Sequence, residues 1–179
     1  MNAYLLDTSA ILTYLNAEEG HDKIQALFSD PASMVLLTAP VLLELNNALK
    51  RKGIAELERH RIVTLYATRL AEVLPVDLKA VLAAIAIRDA SPTRLPAMDA
   101  LIAGCAAAHG AVLVHRDPHF DTVPAHLLKT WNILRDKDYP GPNNKPAAVK
   151  EQQTQYRSRK RHKTAVAGVL RLARQAPAL

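Results

Sequence analysis

The sequence has a single cysteine, Cys105. An intramolecular disulfide is therefore excluded, and the usage fits a reducing compartment. Aromatic residues make up only 4% of the 179 residues, so the core has to be assembled from Leu, Ala, Val and Ile. No run of about 18 uninterrupted apolar residues is present, which argues against a membrane span. The opening residues, MNAYLLDTS, contain neither a basic stretch nor a long apolar one, so no secretory signal is expected. The expectation is a cytoplasmic protein with no membrane partner.

Acidic residues are nearly missing from one part of the chain. Residues 141–179 carry 9 Lys+Arg and 1 acid, whereas residues 1–140 carry 14 Lys+Arg and 16 Asp+Glu. The net charge of +6 thus averages a mildly acidic body and a strongly basic tail. Such asymmetry suggests an anionic partner for the tail, with RNA the leading candidate. The run Asp138–Pro146 (DYPGPNNKP) reads as a linker, which divides the chain into a compact domain, 1–137, and a tail, 138–179. Val166, Val169, Leu170 and Ala173 recur at helical spacing, so a short amphipathic helix is expected between Thr164 and Gln175.

With 49% hydrophobic residues, the body has material for a true core. Leu5–Leu6 reads as a strand end, and Thr8–Asn16 as a helix. Ile24, Leu27 and Phe28 predict a helix over His21–Ser29, stopped by Asp30-Pro31. Met34–Thr38 reads as a buried strand. A helix over Pro40–Lys52 follows, with proline in its first turn and Gly53 at its end. Ala55–Leu74 reads as one long helix that frays into a short strand near Val73–Val76. Asp77 caps a helix over Leu78–Ala90. Pro96 opens a small-residue helix, Ala97–His109, closed by Gly110. Ala111–His115 reads as a strand, and Thr130–Leu134 as a last one. Strands alternating with helices through short links predict a three-layer α/β/α fold around a central, mostly parallel sheet.

In such sheets, ligands collect beyond the carboxyl ends of the strands. Four acids belong there. Asp7 follows the first strand, and Asp117 lies two residues past the strand Ala111–His115. Asp99 falls in the first turn of the Pro96 helix, and Glu44 early in the helix after Met34–Thr38. Taken singly, Asp7 reads as a helix cap, Asp99 as a complement to a helix dipole and Asp117 as a turn residue. Glu44 is different: it falls at the margin of the arc shared by Val41, Leu42, Leu45, Ala48 and Leu49, where a free glutamate is out of place. As a set they would converge at one end of one sheet. Carboxylates that close together repel, so some take up protons unless a counter-ion is present. Oxygen donors without a Cys or His cluster favour Mg²⁺ or Mn²⁺ over Zn²⁺. Carboxylates that hold such ions are a recurrent device for phosphodiester hydrolysis.

Three segments, LLDTSAIL around Asp7, LTAPVLLELNNAL around Glu44 and LPAMDALIAGCAAAHGAVLVHRDPHF around Asp99 and Asp117, resemble the PIN-domain family, and within it the VapC-type toxin ribonucleases. They stand in the family's order and span about Met1–Leu134. The resemblance implies that Asp7, Glu44, Asp99 and Asp117 hold Mg²⁺ or Mn²⁺, with Asp7 and Asp99 as direct ligands and Glu44 and Asp117 acting partly through water. It also implies that Ser9 supports the site. The implied activity is endoribonucleolytic cleavage that leaves 5′-phosphate and 3′-hydroxyl ends. The implied partners are RNA, a VapB-like antitoxin and a second copy of the chain. His115 departs from the family's small hydroxyl or Asn residue two before the last acid. It reads either as a packed strand-end residue or as a contact for substrate phosphate. Asp121 stands as a substitute for Asp117, though the spacing favours Asp117.

Arg157, Arg159, Lys160, Arg161 and Lys163 offer sequence-independent RNA contacts through phosphates, against the alternative of a solvated extension. Cys105 among alanines reads as a small core residue, and Trp131 as a packed one. Lys50-Arg51-Lys52 complements a helix end, with RNA contact as the lesser reading. Exposed apolar positions on the first helices are candidates for a dimer or antitoxin surface. A non-catalytic PIN-fold RNA-binding or interaction module is the second reading. A metal-dependent phosphatase is disfavoured, because Ser9 stands where a second aspartate would follow the first.

Overall fold

A computed structural model describes residues 2–135. The basic tail, its five RNA-contact candidates and the helix expected near its end lie outside the described residues. Five strands, β1 (Asn2–Leu6), β2 (Ser33–Thr38), β3 (Glu72–Leu74), β4 (Val112–His115) and β5 (Thr130–Asn132), form one sheet of order β3-β2-β1-β4-β5. Every neighbouring pair is parallel. Six helices complete the body: α1 (Thr8–Leu15), α2 (His21–Ser29), α3 (Ala39–Arg51), α4 (Glu56–Leu65), α5 (Leu78–Ala90) and α6 (Ala97–Ala108). The expected α/β/α architecture is thus observed.

The strands read as unbroken apolar runs because helices cover both faces of a parallel sheet. All six residues of β2 are buried, as are Ala3–Leu6 of β1 and all of β4. Leu5, Leu6, Leu36, Leu37 and Leu113 are at most 1% exposed, and side chains of this size contribute roughly 1.5–3 kcal/mol each on burial. Trp131 packs edge-on against Tyr4, with ring centroids 6.3 Å apart. Cys105 is fully buried, and that burial pushes its thiol up to about 11, as suits a small core residue. Gly53 and Gly110 have φ of +77° and +62°, the left-handed conformation that ends a helix.

One expected element is corrected. The helix after Ala55 does not run to Leu74. It ends at Leu65, widens into a single π turn over Tyr66–Leu70, and gives way to β3. The ring of Tyr66 is fully buried, and the amide of Ala71 reaches back to its carbonyl at 3.1 Å. The chain is thereby released to pair Glu72–Leu74 with Leu36–Thr38. The open edge of β2 offers backbone partners that a longer surface helix would leave unused. Large apolar side chains left exposed include Leu43 on α3, Leu57 on α4 and Leu78, Leu82 and Ile85 on α5.

Helices α5 and α6 form an antiparallel hairpin whose closest approach is at Gly104. A Cβ there would lie 2.3 Å from the carbonyl oxygen of Ala80 and 2.7 Å from the amide of Ala84. These are backbone atoms, which cannot rotate away. Gly104→Ala is expected to lower the urea midpoint and cost at least about 1–3 kcal/mol, the usual penalty for overpacking. An unchanged midpoint would show that the two helices separate freely.

Candidate active site

The sheet order reverses at β1. The chain moves outward through β2 and β3, then returns to the other side of β1 with β4 and β5. The crevice between the carboxyl ends of β1 and β4 is therefore a topological switch point, where open parallel sheets bind ligands. Leu6 pairs with Val114, and the amide of Asp7 donates to the carbonyl of Val114 at 2.9 Å. Asp7 thus leaves β1 beside the segment that carries Asp117. From the flanks, α3 brings Glu44 and the first turn of α6 brings Asp99. All four carboxylates line one open cleft of about 440 Å³.

Asp7 is both a helix cap and part of the cleft. It is only 5% exposed. Its Oδ2 accepts from the amide of Ser9 at 2.9 Å and from the Ser9 hydroxyl at 2.5 Å, which leaves Oδ1 outside both bonds. The Ser9 hydroxyl in turn accepts from the amide of Arg116 at 3.0 Å. Ser9 therefore fixes Asp7 and the chain after β4 in one stroke. Thr8 donates to Glu44 Oε2 at 2.7 Å, tying α1 to α3. Asp117 caps the 3₁₀ turn Pro118–Thr122, with its Oδ1 accepting from the amide of His119 at 2.9 Å and lying 2.7 Å from His119 Nδ1. Ligating atoms of Asp99, Asp117 and His119 all lie within 4.8 Å of one another.

Crowding marks the electrostatics. Burial pushes the Asp99 carboxyl up to about 6, helped by the charges of Asp7, Asp117 and Glu44 and opposed by His119. Burial also raises Asp7 above the usual carboxylate range, against the Ser9 bonds that favour its charge. No described Lys or Arg forms an ion pair with any of the four acids. The donor set is oxygen-rich, crowded and, among the described residues, without a Lys or Arg paired to it. That is the chemistry a hard divalent cation satisfies, so the residues fit such an ion.

His115 is fully buried, and its ring packs edge-on to Phe120 at 5.2 Å. Its Nδ1 donates to the carbonyl oxygen of Asp117 at 2.8 Å, and burial lowers its pKa. It is the packed strand-end residue, shut off from the cleft. Asp121, the alternative to Asp117, does not line the cleft. It accepts from Arg135 at 2.8 Å and from Asn132 at 3.2 Å, binding the 3₁₀ turn to β5. Sequence reasoning missed Thr8 and His119. Neither carries a signal of its own: a threonine after a cap is ordinary, and the proximity of His119 to Asp99 exists only once α6 and β4 are side by side.

The PIN-domain family model matches residues 4–125. The chain belongs to the PIN-domain family. No curated protein matches it in sequence. Among solved structures, this PIN domain resembles DNA-bound VapBC from Salmonella typhimurium, with 23% identity, a TM-score of 0.58, and coverage of 73% of this chain and 98% of the other. It also resembles FitAcB from Neisseria gonorrhoeae, with 21% identity, a TM-score of 0.58 and coverage of 74% and 99%. A third is VapC20 from Mycobacterium tuberculosis, described as a toxin that cleaves the sarcin-ricin loop, with 17% identity, a TM-score of 0.53 and coverage of 66% and 92%. In all three the fold is shared across nearly the whole of the other chain.

The crowding in this PIN domain has a measurable sign. Asp99 holds its proton to about pH 6 when folded but releases it near 4 when unfolded. The folded state therefore binds more protons between those values, and stability falls as pH rises through that window. In EDTA, Asp99→Asn is expected to melt above the wild type at pH 7, with the gap closing by about pH 4–5. A gap independent of pH, read by thermal melts across the range, would contradict the raised pKa of buried Asp99.

Proposed function

We propose that the protein is a Mg²⁺- or Mn²⁺-dependent endoribonuclease and the toxin of a VapBC-type pair. One observation carries the reading. Acids from four separate segments, Asp7, Glu44, Asp99 and Asp117, line a single cleft at the switch point of the sheet, and no described Lys or Arg is ion-paired with them. A module that only bound RNA would gain nothing from four carboxylates facing a polyanion.

In this reading Asp7 and Asp99 would hold the cation, with Glu44 and Asp117 as the further donors. When bound, the ion supplies an activated water and stabilises the leaving oxygen. The chain's own residues set the geometry. Ser9 orients Asp7 through the 2.5 Å bond, Thr8 orients Glu44, and His119 steadies Asp117. The cleft is open to solvent along α3, so a strand can lie across it. Cleavage leaves 5′-phosphate and 3′-hydroxyl ends. The likeness to VapBC assemblies supports a VapB-like antitoxin as the partner that blocks the cleft. The apolar stripe Leu78, Leu82 and Ile85 on α5 supports a homodimer. Arg157, Arg159, Lys160, Arg161 and Lys163 add RNA affinity from the tail. No described helix is long and apolar enough to cross a membrane, and we place the protein in the cytoplasm.

The test is incubation of total RNA and of tRNA with the full chain in Mn²⁺ and in EDTA. Cleavage is expected with the metal and absent with the chelator, and Asp7→Asn is expected to fall to the chelated background. Cleavage by the variant at the wild-type rate would assign the activity to a contaminant. Ser9→Ala is expected to weaken Mn²⁺ binding about 10- to 100-fold, the usual cost of removing a hydrogen bond that orients a ligand. Titration calorimetry reads that loss directly, and an unchanged affinity would remove Ser9 from the site.

A further inference from the structure

The cleft continues past the acids along α3. Glu44, Asn47 and Arg51 are spaced three and four residues apart, so they share one face of the helix, and all three line the cleft. Seven residues of α-helix separate Glu44 from Arg51 by about 10 Å along the axis. Among the described residues, Arg51 is the one Lys or Arg that lines the cleft. Its guanidinium is exposed and makes no hydrogen bond or ion pair with another described residue.

That freedom calls for an account, because most neighbouring cations are engaged, and Lys50, which is not, does not line the cleft. Arg116 pairs with Glu18, Arg59 donates to the carbonyl of Ile54 at 2.6 Å, and Lys52 donates to Asn16 at 3.2 Å. If Arg51 served as an internal counter-ion, Glu44 on its own face would be the natural partner. Glu44 Oε2 is taken by Thr8 instead. Complementing the helix dipole explains a positive charge at this end of α3, but Lys50 in the same turn already supplies one and does not line the cleft.

We propose that Arg51, with Asn47 beside it, binds a backbone phosphate of the RNA strand next to the phosphate held at the carboxylates. This rests on the ribonuclease reading and adds the direction of the strand, along α3 away from the acids. A guanidinium offers paired donors that match phosphate oxygens. The neighbouring amide of Asn47 adds a neutral donor. Leu43, 52% exposed, together with Met98 gives the cleft apolar wall against which sugar and base can lie. The arrangement answers an electrostatic problem of the site: a cation at the acids neutralises the reacting phosphate, while the next phosphate along still faces a field of carboxylates. Arg51 provides the local positive charge there.

The test compares Arg51→Gln, Arg51→Lys and Lys50→Gln, each in the Asp7→Asn background. A fluorescein-labelled single-stranded RNA is titrated in Mg²⁺ at several KCl concentrations, with anisotropy as the readout. Loss of one phosphate contact on a single strand lowers the slope of log affinity against log salt by about 0.7. Arg51→Gln is expected to show that drop together with about 10-fold weaker binding at low salt, whereas Lys50→Gln keeps the parent slope. Arg51→Lys is expected to keep the slope but lose part of the affinity, because a point charge replaces a fork. In the otherwise wild-type chain, Arg51→Gln raises KM with kcat little changed, as befits a contact made equally in ground and transition states. Equal effects of Arg51→Gln and Lys50→Gln would reduce the role to a general field and overturn the proposal. Wild-type cleavage with an unaffected Arg51→Gln variant would overturn the proposal and leave the nuclease reading intact. A wild-type chain that neither cuts nor binds RNA would remove both.

Discussion

Mutual repulsion among Asp7, Glu44, Asp99 and Asp117 is the constraint around which the rest of this molecule is arranged. Asp7 and Asp99 pay for their burial with raised pKa values. An apolar parallel sheet and its helices hold the four acids at one edge, where burial, with the neighbouring charges adding to it, pushes Asp99 to about 6. The body has to supply enough rigid burial to hold them together. It does so with strands that are almost wholly buried and with a helix hairpin that closes on backbone contact at Gly104.

Small polar side chains turn that repulsion into defined geometry. The hydroxyl of Ser9 binds Asp7 on one side and the amide of Arg116 on the other, so the ends of β1 and β4 move as one. Thr8 does the same between α1 and α3. His115 and Asp121, both of which a reading by motif draws toward the chemistry, instead brace the turn that presents Asp117. One donates to the backbone carbonyl of Asp117, and the other is anchored by Arg135 and Asn132. Ser9 and Thr8 line the cleft beside the acids they fix, while His115 and Asp121 work from outside it.

Local periodicity carried most of the fold, since helix and strand repeats are written into neighbouring residues. Gly53 and Gly110 marked helix ends because few other residues accept their positive φ. The reading carried the helix too far, to Leu74, and set the short strand near Val73–Val76, whereas the free edge of β2 recruits Glu72–Leu74. The bounds of short edge strands of this kind are decided by a partner about 35 residues away, which local pattern does not report. Similarly, which large apolar side chains stay outside the core, Leu43, Leu57 and Leu82 among them, depends on what packs against each amphipathic face.

The sequence by itself determined the class of fold, the four acids and the family, because spacing within segments and the order of segments are one-dimensional facts. Tertiary structure alone decided that the acids share one cleft, since β1 and β4 are neighbours only through the reversal of strand order at the centre of the sheet. It also decided that His115 is sealed in the core and that Arg51 faces the cleft unpaired. Those are relations between segments far apart in the chain, and the distances that govern Coulomb and hydrogen-bond energies exist only after folding.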